Sequence, residues 1–349
     1  MKLVVQIPCL NEERTLPLVF AGMPAEIPGV DEIEFLVIDD GCTDATVEVA
    51  RRLGVRHFVH HNRNMGLGQS FRDGATRALA MGADILVNTD RDNQYPSERI
   101  ADLVAPIVAG WADLVVADRQ THRIAEFSWS KRKLQTIGSR VVSLAAGTEL
   151  PDAASGFRAY SSESLVRLNL VTRFSYCTET LIQAGNKRLK IASVPVDTNP
   201  KTRESRLFRS TTEHVVRSAI TILRAFVMYR PLVMFLSLGS VLMGLGLVPY
   251  VRFLVLTASG HEHGASRHVQ SLVAGAVLII GALVTYALGV IADLIRINRV
   301  LIEDGLVLQK RAGLAARSEA GHVGDRPGQR HAAGGAHERG VPEGEDAAV

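Results

Sequence analysis

Two stretches of this chain carry no ionisable side chain, and they limit every fold it can adopt. Pro231 to Val251 runs for 21 residues without Asp, Glu, Lys, Arg or His, and as a helix it spans about 31 Å, the depth of a bilayer's hydrocarbon. Val269 to Ala292 does the same for 24 residues, with Gly and Ala interleaved, and closes at Asp293, Arg296 and Arg299. Buried helices of soluble proteins usually keep a polar stripe, so the pair reads as a membrane hairpin, with spans at 231–256 and 269–292 and an external loop at 257–268.

The flanks orient it. Arg206, Arg209, Arg217, Arg224 and Arg230 precede the first span and Arg296, Arg299, Lys310 and Arg311 follow the second, whereas only Arg252 and Arg267 lie between the two runs. The positive-inside rule then places both termini, and everything before Pro231, in the cytoplasm of a multi-pass cell-membrane protein. Segment 206–230 sets Phe208, Val215, Ile222 and Phe226 on one helical face and Arg206, Glu213, Arg217 and Arg224 on the other, which fits an amphipathic juxtamembrane helix on an anionic leaflet. A basic cytoplasmic helix is expected at 293–311. The tail, 312–349, has eight Gly and nine Ala among 38 residues and is expected to be disordered.

About 205 residues remain for a globular domain. With 47% hydrophobic and 21% charged residues the chain is not a disordered one. Its net charge of +3 gives no reason to expect a nucleic-acid partner, although 32 of the 39 basic residues are Arg, whose fork suits phosphate. Cys9, Cys42 and Cys177 are too few and too scattered for a disulfide framework or a CxxC zinc site. Leu3 to Ile7 is short, broken by Gln6 and ended by Pro8, so the amino terminus reads as a strand rather than a signal peptide.

From Lys2 to about Val196 short β-branched runs alternate with helical periods. Strands are expected at Leu3–Ile7, Glu34–Ile38, Arg56–His60, Asp84–Thr89 and Asp113–Ala117, with helices near Glu13–Gly22, Asp44–Leu53, Leu67–Met81 and Ser97–Ala109. The alternation predicts an α/β fold with a mostly parallel sheet covered on both faces, whose ligands bind beyond the carboxyl ends of the strands. Polar residues gather there: Pro8, Asn11 and Glu12 after the first strand, Asp39 and Asp40 after the second, Asp90, Asp92 and Gln94 after the fourth, Asp118 and Arg119 after the fifth. Asp90 and Asp92 occupy alternate positions, so both carboxylates can turn toward one hard cation such as Mg2+ or Mn2+, with Gln94 adding a third oxygen. The glycines of Asn64-Met65-Gly66-Leu67-Gly68 lack the third glycine of a dinucleotide fingerprint, Phe71 standing in its place. They still allow a turn that sets a helix start near a diphosphate.

These pieces together resemble the inverting GT-A glycosyltransferases of family 2, and within them the dolichyl-phosphate-mannose-synthase-like enzymes that glycosylate a polyprenyl phosphate. The resemblance rests on PCLNE at Pro8–Glu12, DDGCTD at Asp39–Asp44, NMGLG at Asn64–Gly68, DRDNQ at Asp90–Gln94, DAASGFRAY at Asp152–Tyr160 and RESR at Arg203–Arg206, in family order over about Met1 to Leu207. It implies a GT-A catalytic domain at 1–205 carrying the two-helix transmembrane hairpin. It also implies that Pro8, Leu10, Glu12, Val37 and Asp39 surround the nucleoside, and that Asp90, Asp92 and Gln94 hold the metal. Arg119, Arg203 and Arg206 would hold phosphates, with Arg91 beside the donor and Lys131, Arg132 or Arg158 on the acceptor phosphate. Two departures stand out: Arg91 sits where the family has a small Ala, and RESR is shorter than the family's Arg-x-x-Gly-x-Ser-Lys, with Arg206 in place of the Lys.

The activity so implied moves one sugar, a hexose or N-acetylhexosamine, from a nucleotide sugar to a polyprenyl phosphate such as dolichyl phosphate. UDP is favoured over GDP as the carrier. A lipid phosphate is already ionised, so the catalyst must supply positive charge rather than a strong base. One alternative is a family 2 enzyme acting on a saccharide or lipid hydroxyl, which needs a base, Asp152 being the nearest candidate. Another is a non-catalytic nucleotide-binding membrane scaffold. A homo-oligomer is compatible with the sequence.

Overall fold

The computed structural model describes residues 1–90, 94–120, 129–149, 151–169, 176–199, 227–259 and 265–324, with side chains except at 129–135, 265–268 and 317–324. Two units divide the chain, Met1–Val307 and Leu308–Val349.

The first unit contains one seven-stranded sheet. Its strands are β1 (Lys2–Cys9), β2 (Glu32–Asp39), β3 (His57–His60), β4 (Ile85–Asn88), β5 (Leu114–Asp118), β6 (Arg158–Ser161) and β7 (Ile191–Pro195), in the order β3-β2-β1-β4-β6-β5-β7. Only β6 is antiparallel to its neighbours, β4 and β5. The helices are α1 (Leu16–Ala21), α2 (Thr46–Arg52), α3 (Leu67–Ala80), α4 (Ile100–Val108), α5 (Trp129–Ala146), α6 (Ser162–Arg167) and α7 (Tyr176–Asn186).

Side chains alternate across each strand, and the core divides accordingly. Leu3, Val5 and Ile7 of β1 join Val37, Val87, Val115 and the helix residues Leu16, Ile100 and Leu103 on one face. Val4, Leu36, Leu86, Leu114 and Val116 meet Phe71, Leu181 and Ile182 on the other. Both faces are therefore covered and the strands can be apolar throughout, as parallel sheets require. Register sets the functional edge: Cys9 lies beside Asp39 and Asp39 beside His60, so the chain leaves β1, β2 and β3 at one level.

Two helices follow, α8 (Pro231–Ala258) and α9 (Ala265–Gly324). Both are long and apolar enough to cross a membrane: their most apolar 18-residue stretches have mean hydropathies of 2.1 and 2.3 and are only 17% and 22% buried. Leu254 is 72% exposed and Val277 64%; a soluble protein would not leave such a surface to water. The helices approach through glycine. A Cβ on Gly246 would come within 3.0 Å of the Gly275 carbonyl oxygen, and one on Gly275 within 2.7 Å of that of Gly246. The Tyr250 hydroxyl donates across the pair to the Leu272 carbonyl at 3.0 Å, and Ser240 Oγ and Tyr286 Oη lie 3.1 Å apart. Gly275→Leu is therefore expected to force the helices apart at a cost of about 1–3 kcal/mol. The detergent-solubilised variant should melt lower than Gly281→Leu, whose added Cβ has no neighbour within 4 Å.

α9 overruns its expected boundaries. The second span, the basic helix and the start of the tail form one helix that persists to Gly324, which corrects the expectation of disorder from Ala312 onward. Ala312, Ala315 and Ala316 are strong helix formers, and extending an existing helix avoids the cost of nucleation. Over its described part the second unit holds only the end of this helix. Of the expected juxtamembrane helix, 206–230, residues 206–226 lie outside the described residues.

Candidate active site

Beyond β1 the chain turns through Asn11, which adopts a φ of 56°, and the Asn11 Oδ1 accepts the Thr43 N–H at 2.8 Å. The Glu12 N–H donates to Thr46 Oγ1 at 2.8 Å, and Thr15 Oγ1 donates to Glu12 Oε2 at 2.6 Å. PCLNE and DDGCTD are thus stitched into one rim. Pro8 and Val37 are buried beneath it with Glu12, while Leu10 is half-buried at its lip.

The paired aspartates of this rim do different work. Asp39 Oδ1 accepts the Cys42 N–H at 2.7 Å and Oδ2 faces His60 Nδ1 at 2.9 Å. Burial pushes the Asp39 carboxyl up, but these partners outweigh it and hold the group below its ordinary value. Asp40 is turned inward, accepting the Met65 and Gly66 N–H groups at 2.8 and 3.0 Å while facing His61 Nδ1 at 2.8 Å. These two amides, in the turn that the sequence allows to set a helix start near a diphosphate, are consequently committed to Asp40. Gly41, at φ 82°, allows this closure, because a Cβ there would fall 2.7 Å from the Arg63 backbone.

At the end of β4, Thr89 is buried and Asp90 stands half-buried at the mouth. Gly156 lies directly under Asp90: a Cβ on it would approach both carboxylate oxygens to 2.9 Å. Asn88 Nδ2 fixes that floor, donating to the Gly156 carbonyl and the Tyr176 hydroxyl, each at 2.9 Å. Gln94, partly exposed, accepts the Asn199 N–H on its carbonyl at 2.9 Å. A hard-oxygen carboxylate seated in a cradle that only glycine leaves open fits one ligand of a divalent cation. Among the described residues no group of three or more His, Cys, Asp or Glu side chains could hold a metal, and Arg91 and Asp92 lie outside them.

Beside Asp90, Arg119 grips Asp152 with two prongs, Nε to Oδ2 at 2.6 Å and Nη2 to Oδ1 at 2.9 Å. The Asp152 side chain is 0% exposed and that of Arg119 is 16% exposed. Burial raises the Asp152 carboxyl, but the Arg119 charge and hydrogen bonds outweigh it and leave the group below the usual carboxylate range. Arg119 Nη1 makes no hydrogen bond among the described residues.

Arg158 needs correction. Its side chain is fully buried, with Nε donating to the Ser155 carbonyl at 2.7 Å, Nη2 to that of Ala153 at 2.9 Å, and Nη1 to the Cys177 carbonyl at 2.6 Å and Thr180 Oγ1 at 2.8 Å. It holds the loop under Asp90 and has no nitrogen left to face an acceptor phosphate. Lys131 and Arg132 lie in the first turn of α5, their side chains outside those described. Arg203 and Arg206 also lie outside the described residues. Sequence reasoning missed Gly156, Asn88 and the two histidines paired with Asp39 and Asp40. The histidines were findable, because His60-His61 closes β3 at the level where Asp39-Asp40 closes β2.

A mostly parallel sheet covered on both faces, with carboxylates and an arginine at its carboxyl edge and two long apolar helices following, is the GT-A arrangement expected above. The chain belongs to glycosyl transferase family 2, whose model matches residues 4–168. It is 32% identical over 203 residues to an uncharacterized glycosyltransferase of Mycobacterium bovis, covering 57% of this chain and 85% of that one. It is 28% identical to the polyprenol monophosphomannose synthase of Mycolicibacterium smegmatis (55% of this chain, 76% of the other). It is also 28% identical to the UDP-N-acetylglucosamine–dolichyl-phosphate N-acetylglucosaminyltransferase of Methanococcus voltae (55% and 83%). Among solved structures, glucosyl-3-phosphoglycerate synthase from Mycobacterium tuberculosis with Mn2+, UDP and glucosyl-3-phosphoglycerate aligns at a TM-score of 0.48 and 23% identity, over 63% of this chain and 79% of that one.

Proposed function

We propose that this chain transfers a single sugar, with inversion, from a nucleotide sugar to a polyprenyl phosphate at the cytoplasmic membrane face, using UDP-sugars in preference to GDP-sugars. The observation that carries this reading is the state of Asp152. A hydroxyl acceptor must lose a proton to a nearby base, and Asp152, the nearest candidate, is buried, gripped at both oxygens by Arg119 and held in its ionised, weakly basic form. A phosphate monoester arrives already charged and asks only for cations around it. The two apolar helices give such an acceptor a bilayer to arrive from. The relative from Mycolicibacterium smegmatis, named for making polyprenol monophosphomannose, and that from Methanococcus voltae, named for dolichyl phosphate, support the same acceptor.

In this reading Pro8, Leu10, Glu12, Val37 and Asp39 hold the nucleoside, and Asp90, Asp92 and Gln94 would hold Mg2+ or Mn2+. Bound there, the cation would offset the charge of the departing diphosphate. Arg119 presents Nη1 to a phosphate oxygen while Asp152 fixes the plane of its fork. Arg203 and Arg206 would complete the donor side, and Lys131 or Arg132 the acceptor side. Membranes carrying the protein should be given labelled UDP- and GDP-sugars with undecaprenyl or dolichyl phosphate, with and without chelator. Label is expected in the lipid fraction only with both metal and lipid phosphate. Transfer indifferent to both would overturn the reading.

A further inference from the structure

The second apolar helix does not end where its uncharged run ends. Arg299 of α9 lies seven residues, or roughly 10 Å, beyond Ala292. There its guanidinium covers the Tyr229 ring at 5.2 Å from the centroid, and Nη2 donates to the Tyr229 hydroxyl at 3.3 Å. Arg299 Nε donates to Glu303 Oε1 at 2.8 Å, and Nη2 stands 3.9 Å from Glu179 Oε1 of α7. One turn on, Glu303 Oε2 meets Lys187 Nζ, just past α7, at 2.9 Å. Lys187 Nζ also donates to the Arg167 carbonyl at 2.6 Å. Lys187, Glu303, Arg299 and Glu179 thus alternate in sign around one point, with the carboxylates buried and the side chains of Lys187 and Arg299 17% and 23% exposed.

Both ends of the hairpin leave the domain here. Tyr229 packs against the core cluster beneath α7 and stands two residues before Pro231. Buried charge is a poor way to gain stability, since desolvation takes back much of the attraction, and its best-attested use is to fix register between packed elements. α7 also begins at Tyr176, whose hydroxyl accepts from Asn88 of the strand that leads to Asp90. Any tilt of α7 therefore reaches the floor of the site.

We infer that this four-charge node is a positioning device, locking the membrane hairpin onto α7 so that the active-site edge is held at a fixed height above the lipid surface. The inference rests on the lipid-phosphate reading. A phosphate on a bilayer-embedded chain cannot rise to meet a displaced site, whereas a soluble nucleotide can. Loosening the node should therefore raise KM for the embedded acceptor and leave donor affinity alone.

The test is a double-variant cycle across the Lys187–Glu303 pair. Glu303→Gln and Lys187→Met are each expected to raise KM for polyprenyl phosphate in vesicles about tenfold, and the double variant to raise it no further than the worse single, rather than by the roughly hundredfold of two independent changes. UDP affinity by calorimetry should stay within about twofold throughout. Melting temperatures of the four detergent-solubilised proteins report the contact without any acceptor: each single variant should melt lower and the double no lower than the worse single. Non-additivity in both KM and melting temperature supports the inference. Non-additive melting temperatures with KM unmoved would leave a mere stabilising contact and overturn the positioning role, and additive losses in either would overturn the node itself. A wild-type protein that glycosylates no lipid phosphate, while the melting temperatures are still non-additive, would instead sink the functional reading.

Discussion

Asp90→Asn is expected to lower sugar transfer by on the order of 10²- to 10³-fold while the domain melts within a few degrees of wild type. The group removed is a half-buried carboxylate at the mouth of the site, so little packing is lost and the defect falls on chemistry. Gly156→Ala should reproduce much of this loss from a position that touches no reactant. Its new Cβ would press both Asp90 oxygens from 2.9 Å, and the carboxylate must swing away; misplacement by about 1 Å can cost on the order of 10²-fold. Initial rates with saturating donor, set beside thermal melts, check both variants. Near-normal rates in Asp90→Asn would remove Asp90 from the site.

Asp152→Asn is expected to act first on stability. It leaves the Arg119 guanidinium buried beside a neutral amide, and breaking a buried pair in this way typically costs about 3–5 kcal/mol. The pH dependence has a definite sign. Asp152 is held below its ordinary pKa in the folded state, so its contribution is fully present above the unfolded value of about 3.9 and is lost as pH falls toward the lower folded value. The stability gap between wild type and Asp152→Asn should therefore stay constant from pH 7 to about 5 and narrow below about 4, as read by denaturant unfolding. A gap absent at pH 7 would mean that the pair contributes nothing.

Much of this site was legible because strand ends announce themselves. β1, β2, β4 and β5 are β-branched runs that stop at Pro8, Asp39, Asp90 and Asp118 or near them, and the structure brings these positions to one edge. β6 gave no such signal. Its four residues, Arg158–Ser161, have no apolar period, and the strand owes its place to pairing with β4 and β5, which is non-local. Arg158 was misread for a related reason. An arginine in a motif suggests an anion, but here backbone carbonyls satisfy it, and carbonyls carry no signature in a sequence. The ionic node was hidden likewise, since Glu179 and Arg299 lie far apart along the chain and each alone reads as a solvated charge. The end of α9 was misjudged because composition records the lack of a core but not a helix already under way.

The central claim is that the acceptor brings its own negative charge, so the enzyme needs no base. The direct measurement is mass spectrometry of lipids recovered after the protein has worked on equimolar polyprenyl phosphate and the matching polyprenol in one vesicle population. Sugar is expected on the phosphate alone, in a phosphodiester; sugar on the free alcohol would contradict this.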